Sequence, residues 1–266
     1  MDEGGALPQD CAQSAACREG AVHKGPGQNR LVGVVHAGNR PRARDAAGVH
    51  EHLLAAIVDQ RLPPGTRLTE ADLVETFDLG RRVVGEVLHR LAWEGLVTIL
   101  PNRGARVASP DAAEARAIFA ARRAIEAGTA EAVARAGDPA AVAALSENLA
   151  EEGRLRAAGR LREAIRLSGG FHVLVANLSG NPILAGAVRL LVARTSLVIA
   201  LFDNRGGLAC WHDDHASFVE LVRRRRHRAA AALMRHHLLE IERDLRLDRP
   251  RREAIDIRSA LARPLA

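Results

Sequence analysis

The sequence predicts a mostly α-helical chain in two blocks, three short helices closed by a β-hairpin and then an all-α antiparallel bundle of about six helices. Apolar residues recur at helical spacing through most of the chain after residue 45. Only the stretches "LVTILP" and "ARVAS" alternate in the way that strands do. Aromatic residues make up 3% of the 266 residues and Tyr is absent, which favours a helical core of Leu, Val, Ile and Ala.

Shifts in composition divide the chain into four segments. Residues 1–44 are rich in Gly, Ala, Gln, Asn and Arg without sustained periodicity, which predicts a disordered leader. Residues 45–108 and 109–247 hold the two helical blocks, and residues 248–266 form a tail. The three cysteines do not form a disulfide framework, and no apolar run is expected to reach the roughly 18 residues of a membrane span. These features predict a cytoplasmic protein with no membrane partner.

The first block opens with a helix and a proline-rich stop. Apolar residues at helical spacing define the helix: Val49, Leu53, Ala56 and Ile57. "LPPGTRL" (62–68) then ends it with a Pro-Pro-Gly turn. Thr69 is expected to cap the next helix, "EADLVETF", with Asp72 at its third position.

A tight turn at "DLG" (78–80) leads into the third helix, "RRVVGEVLHRLAWEG". Its apolar residues share one face: Val84, Val87, Leu88 and Leu91. "NRG" (102–104) is predicted to turn between the two strands of the hairpin. This order of elements is that of a winged helix-turn-helix.

Arginines stand where a winged helix meets DNA. Arg81 and Arg82 fall in the first turn of the third helix, from which an Arg side chain can reach a guanine edge in the major groove. Arg103 falls in the hairpin turn, where a wing touches the backbone or the minor groove. We therefore expect double-stranded DNA as a partner, contacted by six residues: Thr69, Arg81, Arg82, Asn102, Arg103 and Gly104.

The second block is predicted to be helical throughout, broken at "GDP", "AAG", "SGNP" and "DNRGG". The predicted helices cover 111–136, 138–157, 160–178, 181–203, 208–224 and 227–247. The most basic run of the chain, "LVRRRRHRAAAALMRHH" (221–237), includes the turn between the last two helices, where its arginines are expected to form a solvated corner.

Histidines occur beside apolar residues on three of these helices. His172 and His215 lie within "SGGFHVLVANLSGN" and "WHDDHASFVELV", and His237 shares a helix face with Leu233 and Ile241. Three imidazoles from three helices can converge on a divalent cation such as zinc inside a bundle. Their spacings form no local metal motif, so the alternative of surface histidines stays open.

The block from "LPPGTRL" to "ARVAS" resembles the DNA-binding domain of the GntR family of transcription regulators. The shared residues include Pro64-Gly65, Leu68, Glu70 and Leu73, and then Arg81, Val84, Glu86, Leu88 and Leu91. "EGLV" (94–97) and "PNRG" (101–104) match the end of the third helix and the wing. The resemblance implies operator binding by a homodimer.

Three positions depart from the family pattern. Gly80 stands where the family has Ser or Thr, which removes a helix cap and a phosphate contact. Val83 replaces a frequent Pro, and Gly85 replaces an Arg that reads bases in the family. These changes predict an altered or weakened operator preference, with Arg82 as a candidate to compensate.

The second block is similar to the FCD ligand-sensing domain of FadR-type members of that family. "FH" (171–172), "GN" (180–181), His215 and "MRHHL" (234–238) carry the resemblance. It implies a metal site at His172, His215 and His237, with the family's Asp ligand replaced by Ser168. Ser is a poor neutral ligand, so either a water or the carboxylate of an effector would complete the coordination.

The resemblance also implies an organic-acid effector held next to that metal. Arg122, followed by Glu126 in the family's pattern, is the expected anion-binding residue. Ser168, Asn181 and Arg194 are further candidates for the same pocket, although Asn181 also stands where it can cap the helix that begins at Pro182.

The sequence is compatible with three functions. The first is a ligand-responsive transcription regulator, with repression expected, that senses a small carboxylate with a metal such as zinc. The second is a hydrolase that uses the three histidines and a metal-bound water, for which Glu126 is one candidate base. The third is a DNA-binding regulator whose metal site has been lost at Ser168. The resemblance favours the first.

Overall fold

A computed structural model describes residues 45–100, 104–203 and 211–248 of the chain. The expected leader, the Asn102-Arg103 end of the wing turn and the expected tail beyond residue 248 lie outside these residues. In the first block, three helices and a small antiparallel sheet follow one another as predicted, with an additional strand, β1, that the sequence did not predict. The elements are α1 (Ala46–Val58), β1 (Arg67–Leu68), α2 (Glu70–Phe77), α3 (Arg81–Trp93), β2 (Val97–Leu100) and β3 (Gly104–Val107).

The sheet has the order β1-β3-β2, and both pairings are antiparallel. Arg67 and Leu68 pair with Arg106 and Ala105, so a segment just after the Pro-Pro-Gly turn adds a third strand to the wing. The side chains of Leu68, Ala105 and Val107 point into the core, where they meet the apolar faces of the helices.

Over residues 109–203 and 211–247, the part of the second block that the structure describes, there are helices and no strand, which confirms the predicted mostly α-helical fold. The six helices are α4 (Ala112–Ala136), α5 (Pro139–Ala157), α6 (Leu161–Leu178), α7 (Pro182–Phe202), α8 (Trp211–Arg223) and α9 (His227–Asp244). α4 packs extensively against α9, and α5 packs against both α6 and α8. This arrangement brings α6, α8 and α9 around one interior region.

Side-chain caps explain where most of these helices begin. Asp45, Asp111, Asp138 and Asn181 each accept a hydrogen bond from a backbone N–H in the first turn of the following helix. Thr69 does the same for α2 by accepting from the N–H of Asp72, as predicted. These caps are local, so they could be identified from the sequence.

Two large cores and a small third cluster of Ala176, Ala185 and Val188 organise the described residues. One lies between α1, α2, α3 and the sheet, and two residues of α7, Ala193 and Leu197, belong to it. The other fills the bundle and includes the fully buried rings of Phe119, Phe171 and Phe218. α7 therefore packs at the same time against the helical bundle and against the winged helix.

α7 is long and apolar enough to cross a membrane by length and composition, with a mean hydropathy of 1.8 over its most apolar window. The sequence prediction of no such run was wrong, because the run tolerates Arg189 and Arg194 within a helix of 21 residues. A third of that window is buried inside the protein. Core helices of soluble proteins have the same length and composition.

The basic run forms a solvated corner between α8 and α9. Arg223 and Arg224 pair with Glu220 on the surface. Arg225 has a positive φ of 52° in the turn, and its side chain covers Gly137, which ends α4. The arginines therefore lie in and beside the surface turn, outside the bundle interior.

Candidate functional site

The three predicted histidines meet inside the bundle. His172 on α6, His215 on α8 and His237 on α9 are all buried, and one ring nitrogen from each lies within 4.8 Å of the others. Nε2 of His215 and Nε2 of His237 face each other at 3.1 Å. His236, the neighbour of His237, is exposed, as its position a quarter-turn away indicates.

A carboxylate lies behind each of these rings. Nδ1 of His172 donates to Oε2 of Glu126 at 2.6 Å, and Nδ1 of His237 donates to Oδ2 of Asp214 at 3.0 Å. Nδ1 of His215 lies 3.6 Å from Oε2 of Glu152. Carboxylates in this position orient metal-binding imidazoles and leave Nε2 free as the ligand. The site therefore has three rings in a ligating orientation.

Burial keeps two of these rings neutral. Removal from water lowers the pKa of His172 to about 3 and that of His215 to about 4, although Glu126 and Glu152 respectively act in the opposite direction. Burial by itself raises the pKa of Glu126, but Arg122 and His172 prevail and lower it to about 2. At neutral pH these two imidazoles are thus neutral and Glu126 is ionised, which is the protonation state that binds a metal.

The donor set fits a zinc-like divalent cation. Two nitrogens bound to one tetrahedral zinc lie about 3.3 Å apart, given Zn–N bonds of about 2.0–2.1 Å, and the two facing Nε2 atoms are close to that spacing. Among the described residues, Nδ1 of His215 is a buried polar atom without a hydrogen-bond partner. A metal on Nε2 of His215 would place the proton on Nδ1, facing Glu152. Three protein ligands also leave one coordination position open.

A cavity of about 60 Å³, open to solvent on one side, adjoins the histidines. His172, Ser168, Arg122 and Thr195 line its buried part. Further lining residues include Val58 and Gln60 at the end of α1, Arg156 on α5, and Arg166 on α6. Ser168 is thus next to His172 on the cavity wall, where it can bond a water or a ligand.

Arg122 lies in this site but is already paired. Its Nε donates to Oε1 of Glu126 at 2.6 Å, and its two terminal nitrogens lie 3.4 Å from Oε2 of Glu126 and from the Thr195 hydroxyl. The guanidinium is almost fully buried. Arg122 therefore orients Glu126, and through it His172, in addition to bordering the cavity.

Asn181 and Arg194 lie elsewhere in the described structure. Asn181 is exposed, and its side-chain oxygen accepts from the backbone of Ile183 and Leu184, so it caps α7. Arg194 pairs with Glu114 and packs over Gly95, whose positive φ of 72° a side chain would strain. Neither residue lines the cavity.

Four of the six expected DNA-contacting residues fall within the described part of the chain, at the starts of α2, α3 and β3. Arg81 and Arg82 are exposed at the start of α3, where Arg82 pairs with Glu86 one turn further on. Thr69 caps α2, and Gly104 begins β3 with a φ of 78°. Asn102 and Arg103 fall outside the described residues.

The two glycines that depart from the family pattern sit in open positions. Gly80 caps α3 without a side-chain hydrogen bond, so the cap that Ser or Thr would supply is absent there. A Cβ added at Gly85 would meet nothing within 4 Å. The helix therefore has room for the arginine that the resemblance places there.

The sequence reasoning missed the role of Glu152 and of the cavity residues Arg156, Arg166 and Gln60. Glu152 could have been found, because it continues the buried stripe of α5 at helical spacing: Ala141, Leu145, Asn148, Glu152 and Leu155. An acid on such a stripe predicts a buried partner. No comparable sequence pattern indicated that the end of α1 lies against the bundle.

Comparison with known proteins agrees with both blocks. Residues 45–107 match bacterial regulatory proteins of the gntR family, and residues 117–240 match the FCD domain. A Streptomyces ambofaciens protein, named as an uncharacterized HTH-type transcriptional regulator in an unstable DNA locus, is 33% identical over 133 residues, which are 50% of this chain and 56% of that protein. The match thus spans little more than half of that relative. The HTH-type transcriptional repressor RspR of Escherichia coli K12 is 26% identical over 199 residues, 74% of this chain and 87% of that one.

Two solved structures share the fold. A putative GntR transcriptional regulator from Rhodococcus sp. RHA1 has a TM-score of 0.67 at 24% identity, over 74% of this chain and 95% of the other. E. coli McbR/YncC has a TM-score of 0.63 at 21% identity, over 74% and 93% of the two chains. The winged helix followed by a helical bundle is thus an arrangement found in solved structures.

Proposed function

This chain belongs to the GntR family of transcription regulators, with an FCD domain behind its winged helix, and we propose that it senses a small organic acid through a divalent metal held by His172, His215 and His237. One observation carries the proposal: three buried imidazoles converge from three helices, each with a carboxylate behind its Nδ1. A cation bound there would supply an open coordination position to a carboxylate oxygen of the effector.

The cavity beside the histidines is the proposed effector site. Ser168 and Thr195 supply hydroxyl groups on its buried wall, and Arg122 contributes positive charge in a place where water is scarce. An effector carboxylate would take the position that the family's Asp occupies, so the Ser168 substitution makes the effector part of the coordination. Such a site favours an acid over a neutral ligand of the same shape.

We propose that α3 reads an operator. Arg81 and Arg82 are exposed in its first turn, where they would reach base edges or phosphates, and Arg103 would contact the backbone or minor groove from the wing. A two-fold homodimer would match two operator half-sites. We further propose repression in the cytoplasm, in line with the name of the RspR relative, a transcriptional repressor.

α7 offers a physical route from effector to operator. Val192, Thr195, Ser196 and Ile199 of this helix line the cavity. Ala193 and Leu197 of the same helix are buried among the core residues of the winged helix. A ligand that moves α7 would therefore move the surface on which the DNA-binding block rests, which links effector binding to half-site spacing.

Metal binding is tested by calorimetric titration of Zn²⁺ into the full chain after treatment with EDTA. We expect one ion per chain, loss of binding in His237→Ala, and unchanged binding in the control His236→Ala, since His236 is the exposed neighbour. Absence of binding in the unmodified protein would contradict the metal proposal and favour a regulator whose metal site is lost.

Operator binding is tested by selecting sequences from random DNA at stated salt concentrations. We expect selected sites with two-fold symmetry whose occupancy changes when metal and a panel of small carboxylates are added. Binding that depends on salt but on no sequence would contradict the proposal. Turnover of an acid ester that disappears with the metal would instead favour the hydrolase alternative.

A further inference from the structure

A positively charged side chain, that of Arg166, lies at the opening of the cavity and is not part of the proposed metal site. Arg166 lies on α6 six residues before His172 and lines the same cavity, but its side chain is 36% exposed where those of Arg122 and His172 are buried. The cavity therefore has an inner end at the histidines and an outer end at Arg166, separated by about two turns of α6.

The two ends differ in how their arginines are paired. Arg122 at the inner end is held by both oxygens of Glu126 at distances down to 2.6 Å. Arg166 at the outer end forms a long ion pair, from Nε to Oδ1 of Asp59 at 3.4 Å. Asp59 is shared, because Nε of Arg61 lies 3.6 Å from its other oxygen. A guanidinium in a long, shared ion pair has donors to offer to a second carboxylate.

We propose that the effector carries two acidic groups, the second of which Arg166 binds at the cavity opening in place of Asp59. This inference rests on the proposed function, since the first acidic group is the one placed at the metal. It assigns the effector to the class of short dicarboxylates. A monocarboxylate of the same length would leave Arg166 paired with Asp59.

The position of Asp59 gives this exchange a consequence for the DNA-binding block. Asp59 is the residue that ends α1, and Gln60 after it lines the cavity. When an acidic group of the effector binds Arg166, Asp59 stays paired with Arg61, which belongs to the same block as Asp59. The ion pair between the winged helix and α6 is then lost, so a dicarboxylate loosens that junction and a monocarboxylate does not.

The test compares matched pairs of probes by calorimetry on the zinc-loaded full chain at constant ionic strength: succinate against butyrate, and malate against 2-hydroxybutyrate. We expect each dicarboxylate to bind about tenfold more tightly than its partner, the scale of one charge-assisted contact. Arg166→Ala should remove that advantage and change monocarboxylate affinity less than twofold. The control Arg162→Ala, an exposed arginine one turn away on α6, should change neither.

A second variant tests the exchange with Asp59. Asp59→Asn removes the competing charge, so we expect tighter dicarboxylate binding and unchanged monocarboxylate binding. Equal affinities within each pair of probes, or an equal loss for both probes in Arg166→Ala, would overturn the inference while the proposed function stands. If none of the four acids binds in the presence or absence of zinc, the proposed function itself fails.

Discussion

Replacing Glu126 by Gln tests whether the buried ion pair of α4 supports the metal site. Oε1 of Glu126 accepts from Arg122 and Oε2 accepts from Nδ1 of His172, both at 2.6 Å, and Glu126 and Arg122 are 1% and 3% exposed. Gln keeps the shape of the side chain and removes its charge. The positive charge of Arg122 then stays buried without a partner of opposite sign, which is the costly outcome of breaking such a pair.

The expected loss of unfolding free energy for Glu126→Gln is about 3–5 kcal/mol. That is a large share of the total for a protein of this size, about 5–15 kcal/mol. Urea unfolding of the EDTA-treated protein, followed by far-UV circular dichroism, measures it. Zinc affinity should fall about 10–100-fold as well, because His172 loses the carboxylate that orients its ring.

Two further variants make the prediction sharp. Glu131→Gln on the same helix breaks an exposed ion pair with Arg135, and we expect little change in stability from it. Arg122→Met combined with Glu126→Met leaves no unpaired charge and should be more stable than Glu126→Gln. If Glu126→Gln stays within about 1 kcal/mol of the unmodified protein, or if the double variant loses the sum of the two single losses, the reasoning is refuted.

Three further predictions concern acid, the recognition helix and the basic corner. Because the pKa values of His172 and His215 are lowered in the folded protein, the unfolded chain binds more protons than the folded one below pH 6.5. The metal-free protein should therefore lose about 1.4 kcal/mol of unfolding free energy per histidine for each unit by which the pH falls between 6.5 and about 4. Constant stability over that range would contradict this. Gly85→Ala should stabilise α3 by about 0.5–1 kcal/mol in urea unfolding, because a Cβ there meets open space, and Gly85→Arg should tighten operator binding, which a gel-shift titration measures. Gly137→Ala should cost about 1–2 kcal/mol, because φ is 52° and the new Cβ would lie 2.4 Å from Cγ of Arg225; a thermal melt that shows no loss would argue against that conformation.

Much of the fold could be predicted because its causes are local. The caps at Thr69 and Asp111 act within one turn, and the apolar spacing of each helix depends on its own residues. The two-residue strand β1 was missed, because Arg67 and Leu68 become a strand only by pairing with β3 some 40 residues later. The apolar character of α7 was underestimated, because two arginines interrupt the run without ending the helix.

The candidate site was predicted in part. A resemblance and a helix-face argument named the three histidines, and the structure places them together, but whether they hold a metal is still a proposal. The same reasoning placed Asn181 and Arg194 near the effector, with a helix cap as the alternative for Asn181. Asn181 does cap α7, and Arg194 contacts the winged helix. Polar side chains of that kind have several local uses, and the sequence does not show which one is realised.

The element types, most of their boundaries and the residues able to ligate a metal or contact DNA can be read from the sequence, since these follow from side-chain chemistry and from spacing along one element. Tertiary structure alone decided that Glu126, Glu152 and Asp214 stand behind the three rings, that Arg122 is committed to Glu126, and that the cavity opens beside Asp59 at the end of α1. Each of these facts depends on how far apart and at what angle separate helices pack. That geometry is set by the packing of the whole core, which no single segment of the sequence specifies.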